Sequence, residues 1–291
     1  MAKDLPVNQI LIGDCLEVTK DWPDDCVDLV FCSPPYEDAR TYNIDFRLKG
    51  QDWVDWAIVR FKECLRISKG IVAWVVEGKT KQFRYSAVPA LLMADLHRDG
   101  IHLRKPPIFH RVGIPGSGGP DWLRNDYEFI VCAAKGGKLP WSDNTAMGTA
   151  CKYKPGGAMS YRHKNGQRRN ARTGRRLGNK VEEYMVGKQV TRKEHTKRMQ
   201  NGNMTVQSYK PPKKANPGNV IHLKVGGGLM GSDLAHENEA PFPESLAEFF
   251  IKSFCPPDGV VFDPFSGSGT TIAVAEKTGR RWVATDIRES Q

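Results

Sequence analysis

The stretch that decides the fold is Val260-Val261-Phe262-Asp263-Pro264-Phe265-Ser266-Gly267-Ser268-Gly269-Thr270-Thr271. A short apolar run closes on a carboxylate, a turn with two glycines follows, and a helical pattern runs on to Thr278. Strand, glycine-rich turn and helix in this order form the ligand-binding elbow of a doubly wound sheet. The glycines let a ligand approach the backbone, and the helix N-terminus presents free N–H groups. No lysine follows the second glycine, so the turn is not a phosphate-gripping loop, and Ile272 stands where Gly-x-Gly-x-x-Gly requires its third glycine. Asp263 at the strand end disfavours a phosphate and suits a ligand bearing an ammonium group. Arg281 to Ala284 reads as a second strand closing on Thr285-Asp286, the place where an acidic side chain holds ribose hydroxyls in nucleoside-binding sheets.

Working outward, Pro256-Pro257-Asp258-Gly259 is a turn feeding the first of these strands, and residues 244–254 place Leu246, Phe249, Phe250 and Phe254 on one helical face. Nearer the N-terminus, residues 8–12 read as a short strand ending in Gly13-Asp14, with Asp14 at the carboxyl end where open α/β sheets meet ligands. Helices are expected over residues 52–67 and 87–98, and strands over 27–31, 71–76, 101–111 and 127–134, with a Gly/Pro-rich loop over 113–120. The continuous apolar run Ile71-Val72-Ala73-Trp74-Val75-Val76 is the pattern of a strand buried on both faces. Such alternation implies an α/β fold with a doubly wound, mostly parallel sheet covered on both sides.

The strand Val27-Asp28-Leu29-Val30-Phe31 runs into Cys32-Ser33-Pro34-Pro35-Tyr36. Two consecutive prolines donate no backbone hydrogen bond, so the ladder stops there and its last carbonyls turn away from any neighbouring strand. What remains is a polar corner beside an aromatic. Carbonyl and hydroxyl oxygens can accept from an amino group while Tyr36 stacks on the ring that bears it, and nucleobases are rings of that kind. Taken alone, the tetrapeptide is as consistent with a simple turn.

The chain has 291 residues, 40% of them hydrophobic, enough for one large α/β domain with an insertion or for two domains. Nothing approaches the about 18 uninterrupted apolar residues of a membrane span, and Met1-Ala2-Lys3-Asp4 lacks a signal-peptide core, so a soluble, cytoplasmic protein is expected. Seven scattered cysteines show no zinc spacing, which predicts free thiols and no metal site. The net charge of +10 is concentrated: residues 151–214 hold 18 Lys and Arg against 3 Asp and Glu, and the remainder holds 25 against 30. In that segment Arg162, Lys164, Arg168, Arg169, Arg172, Arg175 and Arg176 are interleaved with Gly, Asn, Gln and Tyr, a composition suited to phosphate contact and base-edge readout. The basic region is expected over 141–215, inserted between catalytic segments 1–140 and 216–291.

A cofactor with an ammonium and a ribose, a corner for an amino group and a basic insertion together suggest S-adenosylmethionine and a nucleobase. Here the sequence resembles the β-group amino DNA methyltransferases, on Gly13-Asp14-Cys15-Leu16-Glu17, Ser33-Pro34-Pro35-Tyr36, the segment Asn238 to Leu246 with its Pro-Phe-Pro-Glu, and Asp263 to Thr271. The resemblance implies a Rossmann-like fold with circularly permuted motif order and a variable target-recognition region in the basic middle. It implies that Asp263, Phe265, Gly267, Gly269 and Thr270 cradle the methionine part of the cofactor, Asp286 its ribose and Asp14 its adenine end. His236, Asn238 and Phe242 would close over the methionine moiety. Ser33, Pro34, Pro35 and Tyr36 would hold a base swung out of double-stranded DNA.

Ser33 in the first position resembles family members acting on cytosine N4 rather than adenine N6. A cysteine-nucleophile mechanism at Cys32 is disfavoured because the Pro-Cys motif of carbon-5 methylation is absent. Rival readings are a catalytically silent nucleic-acid-binding protein and an RNA methyltransferase. A cognate restriction endonuclease and a monomeric or homodimeric state are compatible with the resemblance. The family usually continues with a helix after the acidic residue of the second cofactor strand, whereas this sequence stops five residues beyond Asp286, which points to a trimmed terminus or incomplete packing there.

Overall fold

The computed structural model describes residues 5–38, 46–113, 120–151, 214–225 and 242–288. Its elements are β1 (Gln9–Ile12), α1 (Cys15–Thr19), β2 (Val27–Cys32), α2 (Gly50–Ile67), β3 (Ser68–Val76), β4 (Thr80–Lys81), β5 (Arg84–Tyr85), α3 (Val88–Arg98), β6 (Ile108–Val112), β7 (Tyr127–Ala133), β8 (Thr149–Ala150), β9 (Lys214–Ala215), β10 (Val220–Lys224), α4 (Glu244–Phe254), β11 (Val260–Asp263), α5 (Thr270–Lys277) and β12 (Arg281–Asp286). The chain divides into two compact units, Met1–Met147 with Asn216–Gln291, and Gly148–Ala215. In the second unit the described residues form one antiparallel pair, β8 with β9.

The first unit is built on an eight-stranded sheet of order β1-β12-β11-β2-β3-β7-β6-β10. All neighbours run parallel except β7, which is antiparallel to both β3 and β6. β2 is buried along its whole length because both faces are covered, and its side chains alternate between two cores. Val30 and Cys32 join Val72, Trp74, Trp53 and Phe61 beneath α2 and α3. Leu29 and Phe31 join Ile71, Ala73, Phe250 and Ile251 beneath α4.

One expectation is corrected locally. The strand predicted from Ile101 begins at Ile108, because Pro106 and Pro107 cannot donate to a ladder; Leu103 makes one isolated bridge to Ala133. Asp14 follows the carboxyl end of β1 and caps α1, accepting from Leu16 N–H at 2.9 Å. The edge beyond β12 is completed by β1, which pairs with it in parallel from Gln9↔Val283 to Ile12↔Asp286. Among the described residues no helix is long and apolar enough to cross a membrane. The loop over 114–119 and residues 152–213 of the basic insertion lie outside the described residues.

Beyond β2, buried Glu37 ties three segments together: its carboxylate accepts from Gly50 N–H at 3.1 Å, Lys79 N–H at 3.0 Å and the Ser86 hydroxyl at 2.8 Å. Glu37→Ala strands all three donors, and a loss of about 3 kcal/mol of stability is expected, read as a lower urea midpoint; an unchanged midpoint would remove Glu37 from this role.

Candidate active site

The strand order places the site. From β11 the chain crosses over α5 to β12 on one side, and from β2 it crosses over α2 to β3 on the other. The switch point between β11 and β2 opens a crevice at the carboxyl ends of both strands, where doubly wound sheets hold ligands. A cavity of about 320 Å³ occupies it, lined from one side by Ser33, Pro34 and Pro35 and from the other by Asp263, Phe265 and Gly267. Two motifs 230 residues apart in sequence share one pocket.

On the β11 side, Asp263 is buried, and the carboxylate accepts from Phe265 N–H at 3.0 Å. Desolvation raises its pKa to about 7, helped by the nearby charge of Asp286 and opposed by its hydrogen bonds from Phe265 and Thr271. Among the described residues no cation pairs with it. A buried, uncompensated carboxylate on a pocket wall suits a cationic ligand. The Ser266 hydroxyl, buried with no hydrogen-bond partner among the described residues, is a second unfilled polar group on the same wall. Gly267 and Gly269 have φ of +48° and +74°, left-handed values that admit a tight turn ahead of α5. Asp286 accepts from Gly267 N–H at 2.9 Å and from Arg288 N–H at 3.0 Å, and keeps acceptor capacity toward the cavity.

Asp14 is bridged to Arg60, whose guanidinium lies 4.4 Å from the Trp56 ring centroid. Trp56 in turn sits 5.6 Å from Phe265 and 4.9 Å from Phe46, so aromatic faces wall the cavity near Asp14. Trp56 and Arg60 were not singled out from sequence. Both lie on the flank of α2 outside the buried positions 53, 54, 57, 61, 64 and 65, and only their packing against Phe46, Phe265 and Asp14 sets them apart.

On the β2 side, Ser33 Oγ donates to Val75 O at 3.3 Å, which leaves its lone pairs as acceptors. The Pro35 carbonyl is taken by Trp53 Nε1–H at 2.9 Å. No hydrogen bond to the Pro34 carbonyl exists among the described residues. Tyr36 is half-buried and donates its hydroxyl to Glu128 Oε2 at 2.8 Å, while Arg111 pairs with Glu128 Oε1 at 3.2 Å. Burial raises the Glu128 pKa and lifts that of neighbouring Glu77 to about 7. This acidic group behind Tyr36 was not foreseen, because its members come from β6, β7 and the end of β3. Cys32 is buried, and desolvation raises its thiol pKa well above the ordinary value, so no thiolate is available there.

Residues 27–291 match the N6/N4 DNA methylase family. The chain belongs to the N6/N4 amino DNA methyltransferases. The methyltransferase is 29% identical to the orphan methyltransferase M.BamHII of Bacillus amyloliquefaciens over 287 residues, covering 95% of this chain and 86% of that one. It is 24% identical to the DNA adenine methyltransferase YhdJ of Escherichia coli K12 over 283 residues, covering 96% and 78%. Its fold matches the cytosine-N4-specific PvuII DNA methyltransferase with a TM-score of 0.62 at 19% identity, over 96% of this chain and 82% of that one. In the methyltransferase, Phe242 lines the cavity, and Tyr36 and Gly269 stand beside it rather than on its wall. His236, Asn238, Arg162, Lys164, Arg168, Arg169, Arg172, Arg175 and Arg176 lie outside the described residues.

Proposed function

We propose that the protein transfers a methyl group from S-adenosylmethionine to the exocyclic N4 amino group of a cytosine turned out of double-stranded DNA. The observation that carries this reading is the shared cavity, in which the amino-accepting corner at Ser33 and Pro34 faces the anionic elbow at Asp263. Ser33 as the first residue of the tetrapeptide favours cytosine over adenine.

When bound, S-adenosylmethionine supplies an electrophilic methyl group on a sulfonium. Asp263 would hold its ammonium end, Asp286 its ribose, and Trp56 with Asp14 its adenine. The neutral aryl amine is a poor nucleophile because its lone pair is delocalised into the ring. Ser33 Oγ and the Pro34 carbonyl accept from the amino hydrogens and favour a nitrogen that is becoming tetrahedral and positive, each contributing about 2–4 kcal/mol. The flat ring is kept in place by Tyr36, whose own orientation is fixed through Glu128 and Arg111.

Adenine N6 is the alternative, since relatives of both descriptions match the chain. Mass analysis of nucleosides from DNA incubated with the protein and labelled cofactor is expected to show N4-methylcytosine. N6-methyladenine alone would overturn the choice of base, and no label in any DNA would overturn the activity. The arginine-rich insertion is proposed to read the target sequence, and a paired endonuclease is the proposed partner in a cell.

A further inference from the structure

The hairpin β4–β5 breaks three local rules within six residues. Its two-residue turn places Gln82 and Phe83 at φ of +50° and +62°, a geometry that asparagine–glycine pairs adopt without strain and bulky side chains do not. Lys81 stands directly opposite Arg84, a like-charge pair that weakens an isolated hairpin, and neither has an ion-pair partner among the described residues. Phe83 at the tip is 79% exposed and makes no ring contact among the described residues. Local rules broken together mark a segment kept for what it touches.

The hairpin is nonetheless held firmly, and held to the catalytic corner. It leaves β3 beside β2, whose register pairs Cys32 with Trp74, so it emerges next to Ser33–Tyr36. Glu37 clamps both of its ends through Lys79 N–H and the Ser86 hydroxyl, and Ser86 N–H donates to Lys79 O at 2.9 Å. At its base Gly78 lies so close to the Ser86 carbonyl that no side chain fits. The stalk therefore presents one aromatic ring flanked by two cations that have no ion-pair partner among the described residues.

We propose that this hairpin is the wedge that enters the DNA duplex where the target base leaves it. Phe83 fills the vacated stack, and Lys81 and Arg84 grip the flanking phosphates. An apolar ring at a step between bases and cations on the backbone is the chemistry by which side chains intercalate. This inference rests on the DNA methyltransferase reading above.

The test uses oligonucleotide duplexes carrying the sequence that the wild-type protein methylates in unmodified plasmid DNA, either fully paired or with an abasic residue opposite the target. Phe83→Gly relieves the turn, so thermal stability is expected to hold or rise. Its kcat/KM is expected to fall at least about tenfold on the paired duplex and under about threefold on the abasic one, with Phe83→Trp close to wild type. Equal losses on both duplexes, or no loss on either, overturn the wedge. Replacing both Lys81 and Arg84 by alanine is expected to lower the slope of log affinity against log salt by about 2 on a plain 20-base-pair duplex. If the wild-type protein methylates no DNA, the proposed function fails on its own count, and the salt slopes still decide the hairpin: identical slopes overturn it.

Discussion

Tyr36→Ala is expected to lower kcat/KM for DNA methylation by about 10²–10³-fold, equivalent to about 3–4 kcal/mol, while S-adenosylmethionine binds within about twofold of wild type. The split follows from where the side chain stands. Its ring flanks the corner formed by Ser33 and Pro34, and it does not line the cavity shared by Asp263 and Gly267. Its hydroxyl bonds to Glu128, so alanine also removes one of the two groups that satisfy a buried carboxylate. Tyr36→Phe keeps the ring and loses only the 2.8 Å bond, for which a loss under about tenfold is expected. Single-turnover transfer and calorimetric titration of the cofactor separate the two effects. Unchanged turnover in Tyr36→Ala would take Tyr36 out of the base site.

Asp263→Ala has the second large effect, a loss of about 10²-fold or more in cofactor affinity, close to 3 kcal/mol. The same carboxylate sets a pH dependence. Burial raises its pKa from the ordinary 3.8 to about 7 in the folded protein. Between those values the folded state binds more protons at this group than the unfolded state does. Its contribution to the stability of the ligand-free protein therefore falls as pH rises from about 4 to 7 and is constant above that. A cationic ligand favours the ionised form, so affinity is expected to rise through about pH 7 and then level off. Asp263→Asn should flatten that rise. A wild-type affinity that is flat across neutral pH would contradict the pairing of Asp263 with the cofactor's charge.

How much of this was legible beforehand depends on whether a feature is local. The elbow Asp263–Thr271 was readable because strand, glycine turn and helix are set by neighbouring residues, and the observed β11, turn and α5 follow that reading to within a residue or two. The corner Ser33–Tyr36 was readable because paired prolines end a ladder wherever they occur. The start of β6 differs from the expected Ile101 although Pro106-Pro107 stands in the sequence, since the alternation Ile101-His102-Leu103-Arg104 ahead of it has the period of a strand. Trp56 and Arg60 escaped notice because a helix flank gains meaning only from what packs beside it, here Phe46, Phe265 and Asp14. The group Glu77, Glu128 and Arg111 could not be assembled at all. Arg111 and Glu128 are on β6 and β7 and Glu77 directly follows β3, and only the pairing of β3, β7 and β6, with β7 antiparallel to both, brings them behind Tyr36.

The amino-acid sequence by itself determined the class of fold, the glycine elbow after β11 and the proline corner after β2, because each follows from backbone rules acting within about ten residues. Tertiary structure alone decided that the two are halves of one site. It did so by setting β11 against β2 and letting β1 close the far edge beside β12, so that the first and last segments of the chain become neighbours. The same closure removed Asp263 from water, and a carboxyl group that would be ordinary in an extended chain became a buried one whose pKa is raised to about 7, with no cation paired to it among the described residues. Burial is a property of what surrounds a residue, and that is settled only when distant strands meet.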